Sequence, residues 1–341
     1  MTTWFKKKPD KGIDIEQMIY ARGGKEVTKL RSGMSQSEIL SAMPDFFKNF
    51  PKSLFGNGNK ALEWVVVRNR CFLELALRKK DEEENYEFRT SPGGALSSQL
   101  RDLIHLPGLR GNPERDYPLT AVGTTFPGTF EHYTASVIAQ WQSGTDNINL
   151  KKISKDLEKL GLTWKVTAKP VNDTQVEIQV GRLNHAAKGG AHDLVSIADV
   201  GLGVSQTLPV VVALQVAEPN QTVYLEQPEI HLHPRAQTAM AQVLADAALR
   251  GVRVVAETHS SLLLLGIQTL VAEGRLPPEL VKLHWFTRGD DGMTEIRSAD
   301  LDEAGAFGDW PEDFAEVSLK AQSRYLDAAE ARLMESGDGI R

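Results

Sequence analysis

The chain has 341 residues, 41% of them hydrophobic and 25% charged, with a formal net charge of −6 and one cysteine, Cys71. That length accommodates two domains, or one elaborated α/β domain with a real core. A lone thiol excludes an internal disulfide and a cysteine-rich zinc site, the acidic balance excludes a chain-wide polybasic surface, and no run approaches the ~18 apolar residues of a membrane span.

The start, Met1-Thr2-Thr3-Trp4-Phe5-Lys6-Lys7-Lys8, lacks the apolar stretch of a signal peptide, so a cytoplasmic location is expected. Residues 1–60 mix Gly, Ser and Lys with scattered apolar residues, and Phe46, Phe47 and Phe50 suit a short helix. Leu62, Val65, Val66, Leu73 and Leu77 give partial helical periodicity, which predicts a helix over 61–80. The charge block 78–84 then reads as a solvated helix end and loop. Residues 105–128, rich in Pro and Gly, predict a loop. Helices are expected over 130–141 and 148–160, the second stopped by Gly161. Period-two alternation over 163–168 and 175–180 predicts a β-hairpin around 170–174.

From residue 195 the pattern becomes strand 223–225, helix 234–250, strand 252–256, helix 260–273, strand 281–287, turn 288–292 and strand 293–298. Pro234 suits a first helical turn, Ser260 a cap, and Gly251 and Gly274 stops. Alternating strands and helices predict a parallel sheet with right-handed crossovers. Ligands in such sheets bind at the carboxyl ends of the strands. There the first strand delivers Glu226-Gln227-Pro228-Glu229 and the second delivers Glu257-Thr258-His259-Ser260. Gly201 and Gly203 allow close backbone approach, and the helix opening at Ser205 and Gln206 favours an anion at its N-terminus. A metal site built from His231, His233 and either His259 or Glu257 is the competing reading. Asp290-Asp291 reads as turn chemistry.

Leu225-Glu226-Gln227-Pro228-Glu229-Ile230-His231-Leu232-His233-Pro234, followed by Glu257-Thr258-His259-Ser260, resembles the AAA-family proteins with an ABC-type ATPase head. That group includes the overcoming-lysogenization-defect nucleases and many bacterial defence ATPases. Ala198-Asp199-Val200-Gly201-Leu202-Gly203-Val204-Ser205-Gln206 is similar to their signature loop, with Gly201 where serine is common. Leu106-Pro107-Gly108-Leu109-Arg110 and Asp309-Trp310-Pro311-Glu312-Asp313-Phe314 resemble motifs of a subgroup with a C-terminal domain of unknown function. The likeness covers roughly residues 100–320.

The resemblance implies a P-loop NTPase-like α/β head with a mostly parallel sheet, ATP and Mg²⁺ as cofactors, and Glu226 at the Walker B position holding the ion. Gln227 stands where the catalytic glutamate is usual. An amide orients water but cannot take its proton, so turnover is expected to be slow unless Glu229 or another group substitutes. His259 corresponds to the switch histidine. Gly201, Gly203, Ser205 and Gln206 belong to the loop that reaches the nucleotide of a partner head. The implied division is an inserted region 1–100, a helix and hairpin arm 101–194, half of the ATPase core 195–300 and an extension 301–341. Partners would be a second head across an ATP sandwich, an effector nuclease or toxin, and DNA; no membrane partner is implied.

A P-loop needs Gly-x-x-x-x-Gly-Lys-Ser/Thr after a strand. Gly24-Lys25 is followed by Glu26, Gly189 is preceded rather than followed by lysine, and Gly56-Asn57-Gly58-Asn59-Lys60 lacks the core of the motif. The first strand of the head is therefore expected to be missing, leaving an open apolar sheet edge. Three accounts remain: a P-loop on another polypeptide, a non-hydrolysing partner of an intact ATPase, or a decayed remnant. A scaffold that dimerises through the degenerate head is the alternative to an ATPase.

Overall fold

The computed structural model describes residues 2–8, 12–22, 25–43, 62–69, 72–80, 86–90, 100–144, 147–186, 192–308, 320 and 322–332. They fall into two compact units, residues 1–100 and 101–341.

The first unit carries two antiparallel sheets. Strands β1 (Thr2–Lys8), β2 (Gly12–Arg22) and β3 (Lys25–Arg31) form one, in the order β1-β2-β3. Helix α1 (Gln36–Ala42) follows, begun by a capping box in which Ser35 and Glu38 exchange hydrogen bonds. Strands β4 (Leu62–Asn69), β5 (Phe72–Lys79) and β6 (Tyr86–Thr90) form the second sheet, in the order β4-β5-β6. The helix expected over 61–80 is thus a hairpin in which Asn69 pairs with Phe72. The run Val65-Val66-Val67 is stiff at χ1 and favours extended backbone. Leu73, Leu75 and Leu77 alternate into a core with Ile15, Met18, Leu30, Ile39 and Trp64. Arg78 and Lys79 lie in β5, not at a helix end. The helix expected near Phe46, Phe47 and Phe50 falls outside the described residues, as does the Asp309–Phe314 motif.

The second unit holds the site. Strands β7 (Ile104–Leu106), β12 (Thr222–Glu226) and β13 (Arg253–Glu257) form a parallel sheet ordered β13-β12-β7. The expected elements around it appear as α2 (Thr134–Ser143), preceded by a 3₁₀ turn over Phe130–Tyr133, and α3 (Ile148–Lys159). Gly161 ends α3 in the left-handed region, at φ +71°. The hairpin is β9 (Val166–Asn172) with β10 (Gln175–Gly181), and β8 (Tyr117–Pro118) and β11 (Leu194–Ser196) also pair with β10.

Helix α4 (Leu202–Val216) is apolar on all sides and buried through the middle of the unit, with Leu208, Val210, Val211, Val212 and Leu214 in one core with Ile104, Leu106, Val223 and Leu225. Helices α5 (Pro234–Leu249) and α6 (Ser261–Ala272) pack on each other, and Ser260 caps α6 by accepting from the Leu263 amide.

Two expectations are corrected. The segment 281–287 is not a third strand of the parallel sheet. It forms β14 (Lys282–Arg288), which makes a separate antiparallel pair with β15 (Thr294–Asp300). The third parallel strand is β7, from a segment expected to be a loop. The sheets of the described residues are consequently mostly antiparallel, and only one is parallel.

Gly266 sits where α5 and α6 cross closely. A Cβ there would lie 2.7 Å from the Ala241 Cβ and 3.0 Å from the Thr238 carbonyl oxygen. Gly266→Ala is therefore expected to cost about 1–3 kcal/mol by overpacking. In a thermal melt that corresponds to a fall of roughly 4–8 °C for the midpoint of that range; an unchanged melt would contradict so tight a crossing.

Candidate functional site

The parallel strands run the same way, so their carboxyl ends meet at one edge. Register places Glu226 beside Glu257, and Tyr224 between His105 and Val255. These five residues therefore share a face of the sheet. The opposite face carries Ile104, Leu106, Val223 and Leu225, all fully buried. The first face is different: Val255 is 46% exposed, Glu257 is exposed, and Tyr224 and Glu226 are half-buried. Parallel sheets are ordinarily covered on both faces.

Glu226 is held at both oxygens. Its Oε2 accepts from the Gly108 amide at 3.0 Å, and Oε1 lies 3.0 Å from His105 Nε2. The Gly108 hydrogen bond first, and His105 second, hold the carboxyl below its usual pKa. Glu226 thus stays charged while one-third of its side chain faces solvent. Burial, then the charges of Glu226 and Glu257, push the neighbouring Tyr224 phenol up.

Beneath this edge lies Arg110, only 6% exposed. Its guanidinium donates to the carbonyls of Gln206 at 3.1 Å, Glu226 at 2.7 Å and Gln227 at 3.2 Å. Gln206 returns the tie, its amide donating to the carbonyls of Gly111 at 2.7 Å and Arg110 at 3.4 Å. One buried side chain therefore binds the start of α4 to the end of β12. Burial lowers the Arg110 pKa, offset in part by the charges of Glu131, Glu229 and Glu226.

The loop after β12 is strained. Gln227 at φ +44° and His231 at φ +64° occupy the left-handed region without being glycine, at a cost on the order of 1 kcal/mol each. Surrounding bonds enforce this shape. The Gln227 amide donates to the Glu257 carbonyl at 2.8 Å, and Leu232 donates to Glu229 at 3.0 Å. The buried Glu229 carboxylate accepts from the Thr258 hydroxyl at 2.7 Å and the His259 amide at 3.0 Å. Its other oxygen, Oε2, is buried without a hydrogen-bond partner among the described residues. Ser260 bonds Gln237 at 2.8 Å, and Gln237 bonds the Leu232 carbonyl at 3.0 Å. The ends of β12 and β13 are thus one hydrogen-bonded unit.

The structure gathers the residues singled out from sequence around this unit. His259 is exposed, and its ring makes no hydrogen bond to the described residues. Gly201 is the N-cap of α4, with open space where a Cβ would stand. Gly203 packs against the loop: a Cβ there would lie 3.4 Å from the His231 carbonyl oxygen. Ser205 and Gln206 are buried; the Ser205 hydroxyl donates to Leu202 and the Gln206 amide to the Arg110 loop. The histidine-rich metal alternative finds no support, because no group of three His, Cys, Asp or Glu able to hold an ion occurs among the described residues. His233 instead caps α5, accepting from the Arg235 amide. At the tip between β14 and β15, Asp291 accepts from the Met293 amide at 2.9 Å, as turn chemistry requires. His105 was not singled out from sequence and sits one position before the Leu106–Arg110 motif, and Thr258 lies inside a quoted motif but was given no role of its own.

Residues 141–265 match the family model described as "AAA domain, putative AbiEii toxin, Type IV TA system". The matched stretch runs from the end of α2 into α6 and contains Gly201, Glu226, Gln227 and His259. No curated protein matches the chain. Among solved structures, the chain is similar to one titled for ATP-driven dimerization and DNA-stimulated activation of SMC ATPases, at 13% identity and a TM-score of 0.37, covering 56% of this chain and 97% of that one. It is similar to a Pyrococcus furiosus Smc head with an extended coiled coil bound to the ScpA C-terminal domain, at 12% identity and a TM-score of 0.33, covering 45% and 35%. A third is a SmcHead bound to the C-winged helix domain of ScpA, at 12% identity and a TM-score of 0.40, covering 74% and 72%. No helix of the described residues is long and apolar enough to cross a membrane. The family model covers less than half of the chain.

Proposed function

We propose that residues 101–308 form the Walker B, signature and switch-histidine side of an ABC-type ATP site, closed by a P-loop that another polypeptide supplies. The observation that carries this is the uncovered face of the parallel sheet. Tyr224, Val255, Glu226 and Glu257 stand where a further layer would pack, beside a charged, solvent-reachable carboxylate. Strand β13 is an edge among the described residues, and it exposes Val255 and Ala256. An incoming strand and helix would cover both.

The residues fit Mg²⁺ and ATP. Glu226 would hold the ion through its water shell, and the ion would neutralise phosphate charge. Exposed and unbonded, His259 is available to donate to a γ-phosphate oxygen. Gln227 orients water without acting as base, and Glu229, tied to Thr258 and His259, is not free to replace it. Because the Ser205 and Gln206 side chains are turned inward, the α4 N-terminus would meet phosphate through the backbone amides of Leu202 and Gly203. A second head joining across the nucleotide is the expected assembly. We further propose a place in bacterial antiphage defence beside an effector nuclease or toxin, in the overcoming-lysogenization-defect group, with DNA a further partner class; of these, the matched family's description names only a toxin.

The test is equilibrium binding of a fluorescent ATP analogue in Mg²⁺, first to the chain alone and then with an upstream-encoded strand and P-loop polypeptide. The expected result is weak binding alone, tight binding and slow hydrolysis in the mixture, and loss of both with Glu226→Ala. Absence of binding in either case would leave the scaffold reading, which the amide at Gln227 favours.

A further inference from the structure

We propose that the outer face of the β1-β2-β3 sheet, in the first unit, binds single-stranded nucleic acid, with Trp4 stacking on a base and Lys6 and Lys29 meeting phosphates. The face lies outside the stretch that matches the family model, and the proposal does not depend on the nucleotide site above. Charge sets this unit apart from the rest of the chain. Residues 1–100 hold 17 Lys and Arg against 13 Asp and Glu, whereas residues 101–341 hold 22 against 32. A basic portion on an otherwise acidic chain is the electrostatic footprint of a polyanionic partner.

Register identifies the residues that share the outer face. Met18 pairs with Leu30 and both are fully buried, which makes theirs the core side. Neighbours along a strand alternate between faces, so Gln17 and Ile19 of β2 and Lys29 and Arg31 of β3 lie on the other side. Trp4 pairs with Gln17, and Gln17 with Arg31, giving one row across the sheet. Lys6 pairs with Asp14 at one end of the face, and Lys29 with Ile19 at the other. By strand spacing and rise the two lysines stand about 16 Å apart, on opposite edges, with the tryptophan row between them. A sheet face of that size suits about two or three bases.

The groups that would bind are available. Trp4 is 42% exposed, and its ring stacks on no aromatic among the described residues. Lys6 and Lys29 are exposed, and neither has a hydrogen bond or ion pair to a described residue. Asp14, beside Lys6, is paired with Arg68 at 3.1 Å, and Arg31 is held by Glu38 at 3.2 Å. The exposed tryptophan favours nucleic acid over an acidic peptide, because every base offers a π-face and a carboxylate does not. It favours a single strand over a duplex, whose bases are already stacked on one another.

The experiment uses the full chain without nucleotide or Mg²⁺, so its outcome is separate from that of the ATP site. Fluorescence anisotropy follows a labelled strand of about twelve nucleotides, as DNA, as RNA of the same sequence and as a DNA duplex. The expected result is binding of single strands about tenfold or more tighter than duplex, the tighter of the DNA and RNA strands identifying the natural ligand. Trp4→Ala weakens binding about tenfold, and Trp4→Phe, which keeps a stacking ring, recovers most of the loss. Joint Lys6→Gln and Lys29→Gln substitution makes the slope of log affinity against log salt shallower by about 1.4, the loss of two phosphate contacts. Circular dichroism is unchanged in each variant. Absence of binding to either strand at low salt, duplex binding as tight as single-strand binding, or a folded Trp4→Ala variant that binds like the unsubstituted protein overturns the proposal. Competition by polyglutamate as effective as by unlabelled strand overturns it too, and shows a surface for acidic peptide instead.

Discussion

Arg110→Met is expected to lower the stability of residues 101–308 by about 2–4 kcal/mol and to loosen two distant segments together. Among the described residues, Arg110 is the side chain whose hydrogen bonds join the start of α4 to the end of β12, through the carbonyls of Gln206, Glu226 and Gln227. Methionine fills similar space but leaves these carbonyls without their donor, at about 1–3 kcal/mol for each that stays unsatisfied. Removing a buried cation recovers desolvation energy, which keeps the total below the sum of those losses. The diagnostic measurement is hydrogen exchange: residues 202–207 and 227–232 should speed up together, while the β9–β10 hairpin does not change. Faster exchange in one segment only would show that Arg110 does not couple them. Arg110→Lys, with one compact ammonium in place of a planar guanidinium that spans three carbonyls, should recover part of the stability and little of the coupling.

The second large effect is expected at Glu229. Glu229→Ala strips the Thr258 hydroxyl and the His259 amide of their acceptor, for a loss of about 2–4 kcal/mol. Glu229→Gln keeps a carbonyl oxygen in the same place and should cost less than about 1 kcal/mol, because the hydrogen bonds matter and the charge does not. Equal losses in the two variants would show the opposite. The alanine variant should also broaden the His259 ring resonances, since the His259 amide loses its acceptor.

Much of this site could be read in the sequence, because its residues lie close together in the chain. Glu226 and His259 each follow a short apolar strand, and caps such as Ser260 and stops such as Gly161 act locally. What the sequence hid depends on distant partners. Strand β7 is three residues long, too short for any periodicity, and only its pairing with β12 makes it a strand. With it were hidden His105 and the tie made by Arg110. Leu62, Val66, Leu73 and Leu77 fit a helical stripe and a hairpin alike, and tertiary pairing decided for the hairpin. The capping box of Ser35 and Glu38 was a readable signal that scattered surroundings obscured. The hydropathy of β14 suited a buried strand, yet its alternate residues are exposed, Phe286 among them, and it pairs with β15 instead.

The central claim is that the ends of β7, β12 and β13 and the start of α4 form one side of a nucleotide site. Hydrogen exchange of the assembled protein with and without Mg²⁺ and ATP tests it most directly. The account predicts joint protection of residues 105–111, 201–207, 226–231 and 257–260, lost in Glu226→Ala. Protection of none of these segments under conditions where nucleotide is bound, or protection that survives Glu226→Ala unchanged, would contradict it.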